Sequence, residues 1–200
     1  MYAVGHIALG HLAAKITNRA TKQNLNIPAI WILSLLPDLD FLIPGVEHRG
    51  PTHSLIPFLL AFTPLIIKKE KTAPYMAAAL THSLIGDLPT GGVQLLWPLS
   101  TNWIQYPIKI RMNTPLESNI ELLLFFILIT IMIISKDYKH LVNSNNRNAV
   151  LLISLSAILL LLITYRYPLP IPKVLIMPHV IILSIAGISI LNTLKNQIIK

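Results

Sequence analysis

The sequence has no cysteine and little charge, and both shortages narrow the classes of protein to which it can belong. Without cysteine there can be no disulfide and no thiolate ligand, so histidine and carboxylate must hold any bound metal. Charged residues make up only 12% of the 200 residues, against about 25% in soluble domains. Apolar residues make up 54%, which favours a protein embedded in a lipid bilayer.

Acidic residues are also scarce, which leaves a formal net charge of +8. Basic proteins often bind nucleic acid, but here lysine and arginine form small clusters between apolar runs. That pattern is typical of membrane topology, so no nucleic-acid partner is expected. The N-terminus lacks the charged start and small-residue cleavage site of a secretory signal, and Met1 is expected to begin the mature protein.

Three apolar segments in the C-terminal half are predicted to be transmembrane helices. The first begins at Thr114, with a proline at the first helical position and Glu117 placed for a capping box, and it runs to Ser135. Its roughly 20 residues span about 30 Å, the thickness of one hydrocarbon core. The other two predicted spans are Asn148–Tyr165 and Val174–Leu194.

The N-terminal half contains four shorter apolar segments, each with only about 15 residues of clean helix, which is marginal for a full span. They can cross by packing on longer helices or line a water-filled cavity. The predicted fold is therefore all-α: a polytopic membrane bundle of about six to seven short helices in one integral membrane domain, residues 1–200. Within it, residues 1–112 carry the motifs and 113–200 the transmembrane helices. The four short segments are Tyr2–Thr17, Pro28–Leu36, His53–Ile67 and Pro74–Leu88.

The distribution of basic residues predicts an orientation. If all seven segments cross, the loops on one side hold 11 lysines and arginines and those on the other side hold 5. The positive-inside rule then places the first set in the cytoplasm and the N-terminus outside. We expect a multi-pass protein of the cytoplasmic, or inner, membrane.

Histidines are concentrated in the motif-bearing half, where five of the seven lie before residue 83 in apolar surroundings. Ionisable groups within a membrane are costly and therefore suggest function. His6 and His11 are five residues apart and would point about 140° apart on a helix, so only one is expected to join a site. Taken alone, such a histidine is more often a packed or interfacial residue. His140 and His179 are isolated and are interpreted as loop and packing residues.

Asp38 and Asp40 follow Pro37, which is expected to end the preceding helix. In an extended segment, residues two apart face the same side, so both carboxylates could bind one metal centre. The alternative is a solvated turn.

His48 and His53 flank a Gly-Pro pair that can form a tight loop and fold both imidazoles toward one point. Arg49, between them, could hold a phosphate or a carboxylate with two hydrogen bonds. The alternative is a polar loop at the membrane surface.

His82 and Asp87 are five residues apart, which places them on different faces of a regular α-helix. A π-bulge would bring the two side chains together, and such bulges recur at functional sites. Gly86 makes this local distortion plausible. Under the inferred topology His6, Asp38, Asp40, His48, His53 and Asp87 all lie toward the outer side, with His82 deeper.

The order of these motifs resembles the YdjM-like membrane-bound, metal-dependent hydrolases. The resemblance covers residues 5–98 and rests on Gly-His, Leu-Leu-Pro-Asp-Leu-Asp, His-Arg-Gly-Pro-Thr-His-Ser-Leu, Thr-His-Ser-Leu-Ile-Gly-Asp and Gly-Val-Gln-Leu-Leu-Trp-Pro. The family usually has three residues between the histidine and aspartate of the fourth motif, and this chain has four. A more distant likeness to zinc-dependent phospholipase C and related nucleases implies phosphoester substrates. The family resemblance implies metal ligation by His6, Asp38, His48, His53, His82 and Asp87, with Asp40 and Arg49 nearby.

We therefore expect a hydrolase that uses a divalent metal, with zinc favoured and manganese or iron as alternatives. Six ligand candidates exceed the roughly three that one catalytic zinc needs, so two ions are considered. Asp40 is expected to act as a general base or to orient a ligand, and Arg49 to neutralise developing negative charge. The substrate is expected to be a phosphoester or a lipid-linked molecule.

Two other functions fit the same residues. A metal or proton transporter also places His and Asp within the membrane, but it should distribute polar groups across the full depth. A membrane interaction protein with a structural metal would instead show closed coordination.

Overall fold

The structure is a computed structural model that describes residues 1–142, 146–164 and 169–198. Within these residues the chain is helical, with one isolated β-bridge between Val93 and Ile104 and no strand, so the all-α prediction is confirmed. The α-helices are α1 (Ala3–Thr21), α2 (Ile27–Leu35), α3 (Leu55–Lys68), α4 (Ala73–Thr81), α5 (Pro115–Ile134), α6 (Asp137–Val142), α7 (Asn146–Thr164) and α8 (Lys173–Ile198).

Side-chain caps define where several helices begin. The Asn26 side chain accepts a hydrogen bond from the amide of the third residue of α2, and the Ser54 hydroxyl accepts one from the amide of the second residue of α3. At α5, the Thr114 hydroxyl accepts from the Glu117 amide, while the Glu117 carboxylate accepts from the amide of Asn113. The sequence therefore predicted this start correctly, although the carboxylate reaches one residue further back than in a standard capping box.

Helix α1 occupies the centre of the bundle and packs against α2, α4 and α5, while α7 and α8 pack against each other. Its side chains Val4, Ile7 and Ala8 are fully buried, as is Trp31 of α2. Gly10 lies directly against Ser34 of α2, where a larger side chain would collide with the serine hydroxyl. Close contact through small residues is typical of helix packing within membranes.

Two of the described helices, rather than the predicted three, are long and apolar enough to cross a membrane. They are Pro115–Ile134 and the Lys173–Asn196 part of α8, with mean hydropathies of 2.1 and 2.4. The apolar part of α7 is only Asn148–Thr164, about 26 Å at the helical rise, because polar residues begin the helix and its described part ends at Thr164. The prediction of a full third span was wrong for the described part of α7; Tyr165, its predicted end, lies outside the described residues.

Helix α3 lies at the edge of the bundle and has no buried residue. Leu60 and Ile67 are among the large apolar side chains that it exposes, and α5 and α8 expose others along one face. An apolar outer surface of this kind is compatible with surrounding lipid.

The segment between residues 88 and 114 has little regular structure but is held at many points. Its amide at Gln94 donates to the carbonyl of Arg49, and its carbonyl at Leu95 accepts from the amide of Leu55 and the hydroxyl of Ser54. These bonds brace the loop that carries His48 and His53. The Gly-Val-Gln-Leu-Leu-Trp-Pro motif therefore supports the site without supplying a histidine or aspartate.

Candidate metal centre

The histidines and aspartates of the four motifs meet at one end of the bundle. The elements that bring them there are the first turns of α1, the segment after α2, the loop before α3 and the segment directly after α4. Two groups have ligand atoms close enough to hold a cation, and they share Asp38. The first comprises His6, Asp38, His82 and Asp87, and the second comprises Asp38, His48 and His53.

Asp38 and Asp40 lie in a 3₁₀-helix, Leu36–Leu42, and not in the predicted extended segment. Pro37 occupies one of the first positions of this helix, where a missing N–H costs nothing, so it does not force the chain to extend. With three residues per turn, side chains two positions apart point in different directions. Asp38 consequently faces the histidines at the centre, and Asp40 lies behind them.

Ring nitrogens and carboxylate oxygens converge on a small volume. The Nε2 atoms of His53 and His82 are 3.1 Å apart. Asp87 Oδ2 lies 3.1 Å from His53 Nε2 and 3.3 Å from His82 Nε2. Asp38 Oδ1 lies 3.6 Å and 3.4 Å from the same two nitrogens. All four side chains are buried.

The opposite nitrogens of these rings are occupied by hydrogen bonds. His82 Nδ1 lies 2.6 Å from the carbonyl oxygen of Ser34, which can only accept, so this nitrogen carries the proton. His53 Nδ1 lies 3.1 Å from the Thr52 hydroxyl and 3.5 Å from Asp40 Oδ2. With both Nδ1 atoms in hydrogen bonds, the two facing Nε2 atoms remain available for a second proton, which makes the ring cationic, or for a metal cation.

Asp40 supports three neighbours in the His48–His53 loop. Its carboxylate lies 3.1 Å from His48 Nδ1 and accepts from the Arg49 amide at 3.2 Å and from the Thr52 hydroxyl at 3.3 Å. A carboxylate that receives the Nδ1 proton of a histidine fixes the ring and leaves Nε2 available to a metal.

A π-helix over His82–Asp87 resolves the unusual spacing of the fourth motif. Its last turn is closed by a bond from the Leu88 amide to the Ser83 carbonyl, five residues back. The wider turn places His82 and Asp87 on the same side, as their 3.3 Å contact shows. The predicted π-bulge is therefore confirmed.

His6 joins the centre through α1 and stacks on the ring of His82, with ring centroids 3.7 Å apart. Its Nε2 lies 3.6 Å from Asp87 Oδ1 and 3.9 Å from Asp38 Oδ2. Gly86 makes room for the ring, because a Cβ on Gly86 would lie 2.5 Å from His6 Cε1.

His11 does not join the centre. This agrees with the prediction that only one of the two α1 histidines, His6 or His11, joins a site. Its Nδ1 accepts from the indole N–H of Trp31 at 3.3 Å, and its Nε2 lies 3.3 Å from Asp137 Oδ2. Lys15 also contacts Asp137, at 3.0 Å. Burial raises the pKa of Asp137, but hydrogen bonds from His11, Ser135 and Lys15 outweigh it and lower that pKa to about 2. This second cluster ties α6 to α1 at the opposite end of the bundle.

Arg49 lies at the edge of the centre with a positive φ of 64°. Its Nη2 donates to Asp87 Oδ1 at 3.0 Å and to the Thr90 hydroxyl at 2.9 Å. In this structure the guanidinium therefore holds a carboxylate of the cluster.

Asp38 is held in its ionised form. Burial raises the pKa of this carboxyl, but the positive charge of His82 and hydrogen bonds from His53 and His82 outweigh it and keep the pKa well below its ordinary value. The ionised form is the one that binds cations.

Two acidic residues near the centre had little signal in the sequence. Glu121, in α5, accepts hydrogen bonds from the amides of Tyr2 at 2.7 Å and Gly5 at 3.0 Å, which caps the start of α1 beside His6. Glu117, one turn earlier, was predicted only as a helix cap, and it too is buried. The available signal was a pair of acids four residues apart in an otherwise apolar helix.

The residues at the centre fit a divalent metal. Their donor set is imidazole and carboxylate, which suits zinc, manganese or iron. Among the residues that the structure describes, neither ring nitrogen of the fully buried His6 has a hydrogen-bond partner. A buried polar atom without a partner is costly, and coordination of a cation would satisfy it.

Comparison with models of known protein families gives a match. The model of a family described as YdjM inner membrane protein matches residues 1–170. This match includes every motif residue and extends through α7. No curated protein and no solved structure matches the chain.

Proposed function

Because the chain belongs to the YdjM inner membrane protein family, we propose that it is a membrane-bound, metal-dependent hydrolase acting on a phosphoester or a lipid-linked substrate. The observation that carries the proposal is the pair of imidazole Nε2 atoms, of His53 and His82, 3.1 Å apart between two aspartates. The family description supports a location in the inner membrane. The excess of basic residues on the opposite loops supports an extracytoplasmic site.

The proposed metal ligands are the six residues of the two overlapping groups, His6, Asp38, His48, His53, His82 and Asp87. Asp38 belongs to both groups, and these six residues could together hold two ions. When bound, a divalent cation of this kind polarises a phosphoryl or carbonyl oxygen and activates water at neutral pH. Zinc is the favoured ion, with manganese or iron as alternatives.

Asp40 and Arg49 complete the proposed site. Of the two roles that the sequence leaves open for Asp40, its contacts with His48 and the Thr52 hydroxyl support ligand orientation over proton abstraction. Arg49 lies against Asp87, at the edge of the cluster, where its positive charge can stabilise negative charge that develops on a substrate phosphate.

Elemental analysis of detergent-purified protein tests the metal. We expect near-stoichiometric zinc, manganese or iron in wild type and its loss from a variant combining His53→Ala with Asp38→Ala. His11→Ala is the matched control, because it also removes a buried histidine but lies outside the centre. Wild type without metal after reconstitution would contradict the proposal, as would loaded protein that cleaves no phosphomonoester, phosphodiester or lipid substrate.

A second candidate, metal or proton transport, is favoured by one observation. The cluster of His11, Lys15 and Asp137 places further ionisable groups at the other end of α1. The packing between the two clusters argues against a path, because Ile7 and Ala8 are fully buried. Metal uptake into proteoliposomes would support transport, and its absence with a loaded, hydrolytically active protein would exclude it.

A further inference from the structure

An apolar cavity of about 290 Å³ lies beside the metal centre. Its walls come from α1, the π-helix, the loop before α5 and α5 itself. This volume is near the lower end of pockets that bind small molecules. Its apolar lining includes Leu9, Ile85, Ile110, Ile120 and Leu124, together with Met1 and Pro89. Among the described residues, Glu117 is the one acidic residue that lines it.

The cavity and the metal centre share a wall. Gly86 and Thr90 line the cavity, and both also touch residues of the centre. The Thr90 hydroxyl accepts from Arg49 Nη2 at 2.9 Å, and a Cβ on Gly86 would meet the ring of His6. A molecule that occupied both the cavity and the metal centre would need an apolar part for the cavity. It would also need an anionic part for the cation and Arg49.

The cavity opens toward the outer surface of the bundle. Ile85 is 50% exposed, and Leu9 and Leu124 are only partly buried. In a membrane this surface faces lipid, so the apolar groups within reach are hydrocarbon chains. Most of the side chains that line the cavity are apolar, and such a cavity does not hold water well, which also favours an apolar occupant.

We propose that this cavity binds one hydrocarbon chain of the substrate, and that the substrate is a membrane lipid whose phosphate group lies at the metal centre. The proposal rests on the proposed hydrolase function and adds the substrate class and the residues that select it. Ile120 and Leu124 of α5 determine chain binding, and neither is a candidate metal ligand.

The cavity can be filled without changing the centre by Leu124→Trp, or more mildly by Ile120→Phe. Leu123→Trp is the control, since Leu123 lies on the same helix but is 60% exposed on its outer face. Equal metal content and equal thermal stability in the three variants and wild type would show that the changes act on the cavity alone.

Direct binding is measured with phosphatidic acid that carries a photoreactive diazirine in one acyl chain, in nanodiscs. In wild type we expect labelling of peptides containing Leu9 and Ile110, which excess unlabelled phosphatidic acid suppresses. Leu124→Trp should reduce this labelling about tenfold, as the loss of two buried methylenes would, and Leu123→Trp should not. Equal labelling in Leu124→Trp and wild type would overturn the proposal.

Measurements of hydrolysis distinguish a failure of the chain-binding site from a failure of the proposed hydrolase function. For metal-loaded protein, Leu124→Trp should lower kcat/KM for long-chain phosphatidic acid about tenfold and leave that for glycerol 3-phosphate unchanged. If labelling depends on Leu124 but wild type hydrolyses neither compound, the chain site stands and the hydrolase fails for this class. If wild type hydrolyses both but neither labelling nor rate responds to Leu124→Trp, the chain site fails and the hydrolase stands.

Discussion

At the scale of single residues, the two ring nitrogens of each central histidine have different environments. His48, His53 and His82 direct Nδ1 toward a hydrogen-bond acceptor, and His53 and His82 direct Nε2 toward the aspartates. The acceptors are Asp40, the Thr52 hydroxyl and a backbone carbonyl of α2. The sequence identified the histidines by their type and spacing, but a backbone carbonyl that holds a ring has no sequence signature.

Asp40→Asn tests whether Asp40 orients ligands or abstracts a proton. The asparagine would present an N–H₂ group to donors such as the Thr52 hydroxyl and His48 Nδ1. The imidazole rings of the loop should then no longer be held in one orientation. We expect metal affinity to fall about 10- to 100-fold, measured by competition with a chelator. Glu47→Gln, an exposed acid in the same loop, should bind metal as wild type does. Unchanged affinity with lost activity would instead indicate a general base.

At the scale of helices and loops, the π-helix decides whether His82 and Asp87 can act together. Their five-residue spacing would place them on different faces of a regular α-helix. One residue more than the usual motif is accommodated by a wider turn, so His82 and Asp87 still face each other. The 3₁₀-helix over Leu36–Leu42 has the opposite effect on Asp38 and Asp40, which it separates into a central and a supporting residue. A proline predicted that α2 ends but not which kind of turn follows.

Deletion of Ile85 tests the role of the π-helix. It leaves three residues between His82 and Asp87, which then face each other across one turn of a regular α-helix. Ile85 is 50% exposed and is not part of the buried hydrophobic core. We expect metal content close to that of wild type by elemental analysis.

Deletion of Ala77, in the regular part of α4, is the matched control. The deletion rotates the following residues of this helical segment, His82 and Asp87 among them, by about 100° relative to α1. We expect it to abolish metal binding. A folded Ile85 deletion without metal would show that the wide turn itself is required.

At the scale of the whole molecule, the two ends of the bundle differ. One end carries the candidate metal centre, and the other carries the contacts of His11 and Lys15 with Asp137. The loop basic residues are also divided unequally, 11 against 5, under the predicted topology. If the positive-inside rule holds, the centre faces away from the cytoplasm.

The absence of cysteine allows a direct test of this orientation. Single cysteines can be placed at Asn102, exposed in the 88–114 segment that braces the His48–His53 loop, and at Lys139, exposed at the other end of the bundle. Each can be labelled with a membrane-impermeant maleimide. We expect Asn102→Cys to react in cells whose outer membrane has been removed but whose inner membrane is intact. Lys139→Cys should react only after the inner membrane is permeabilised. The reverse pattern would place the centre in the cytoplasm.

The sequence by itself determined the helical class, most helix boundaries and the residues that gather at the centre. These follow from local causes: apolar runs, capping residues, prolines and the small number of ionisable groups in apolar surroundings. Only the tertiary structure decided that Asp40 lies behind the histidines and that Glu121 caps α1 next to His6. Those features depend on contacts between segments far apart in the chain, and a cavity beside the centre exists only once α1, the π-helix and α5 are packed together.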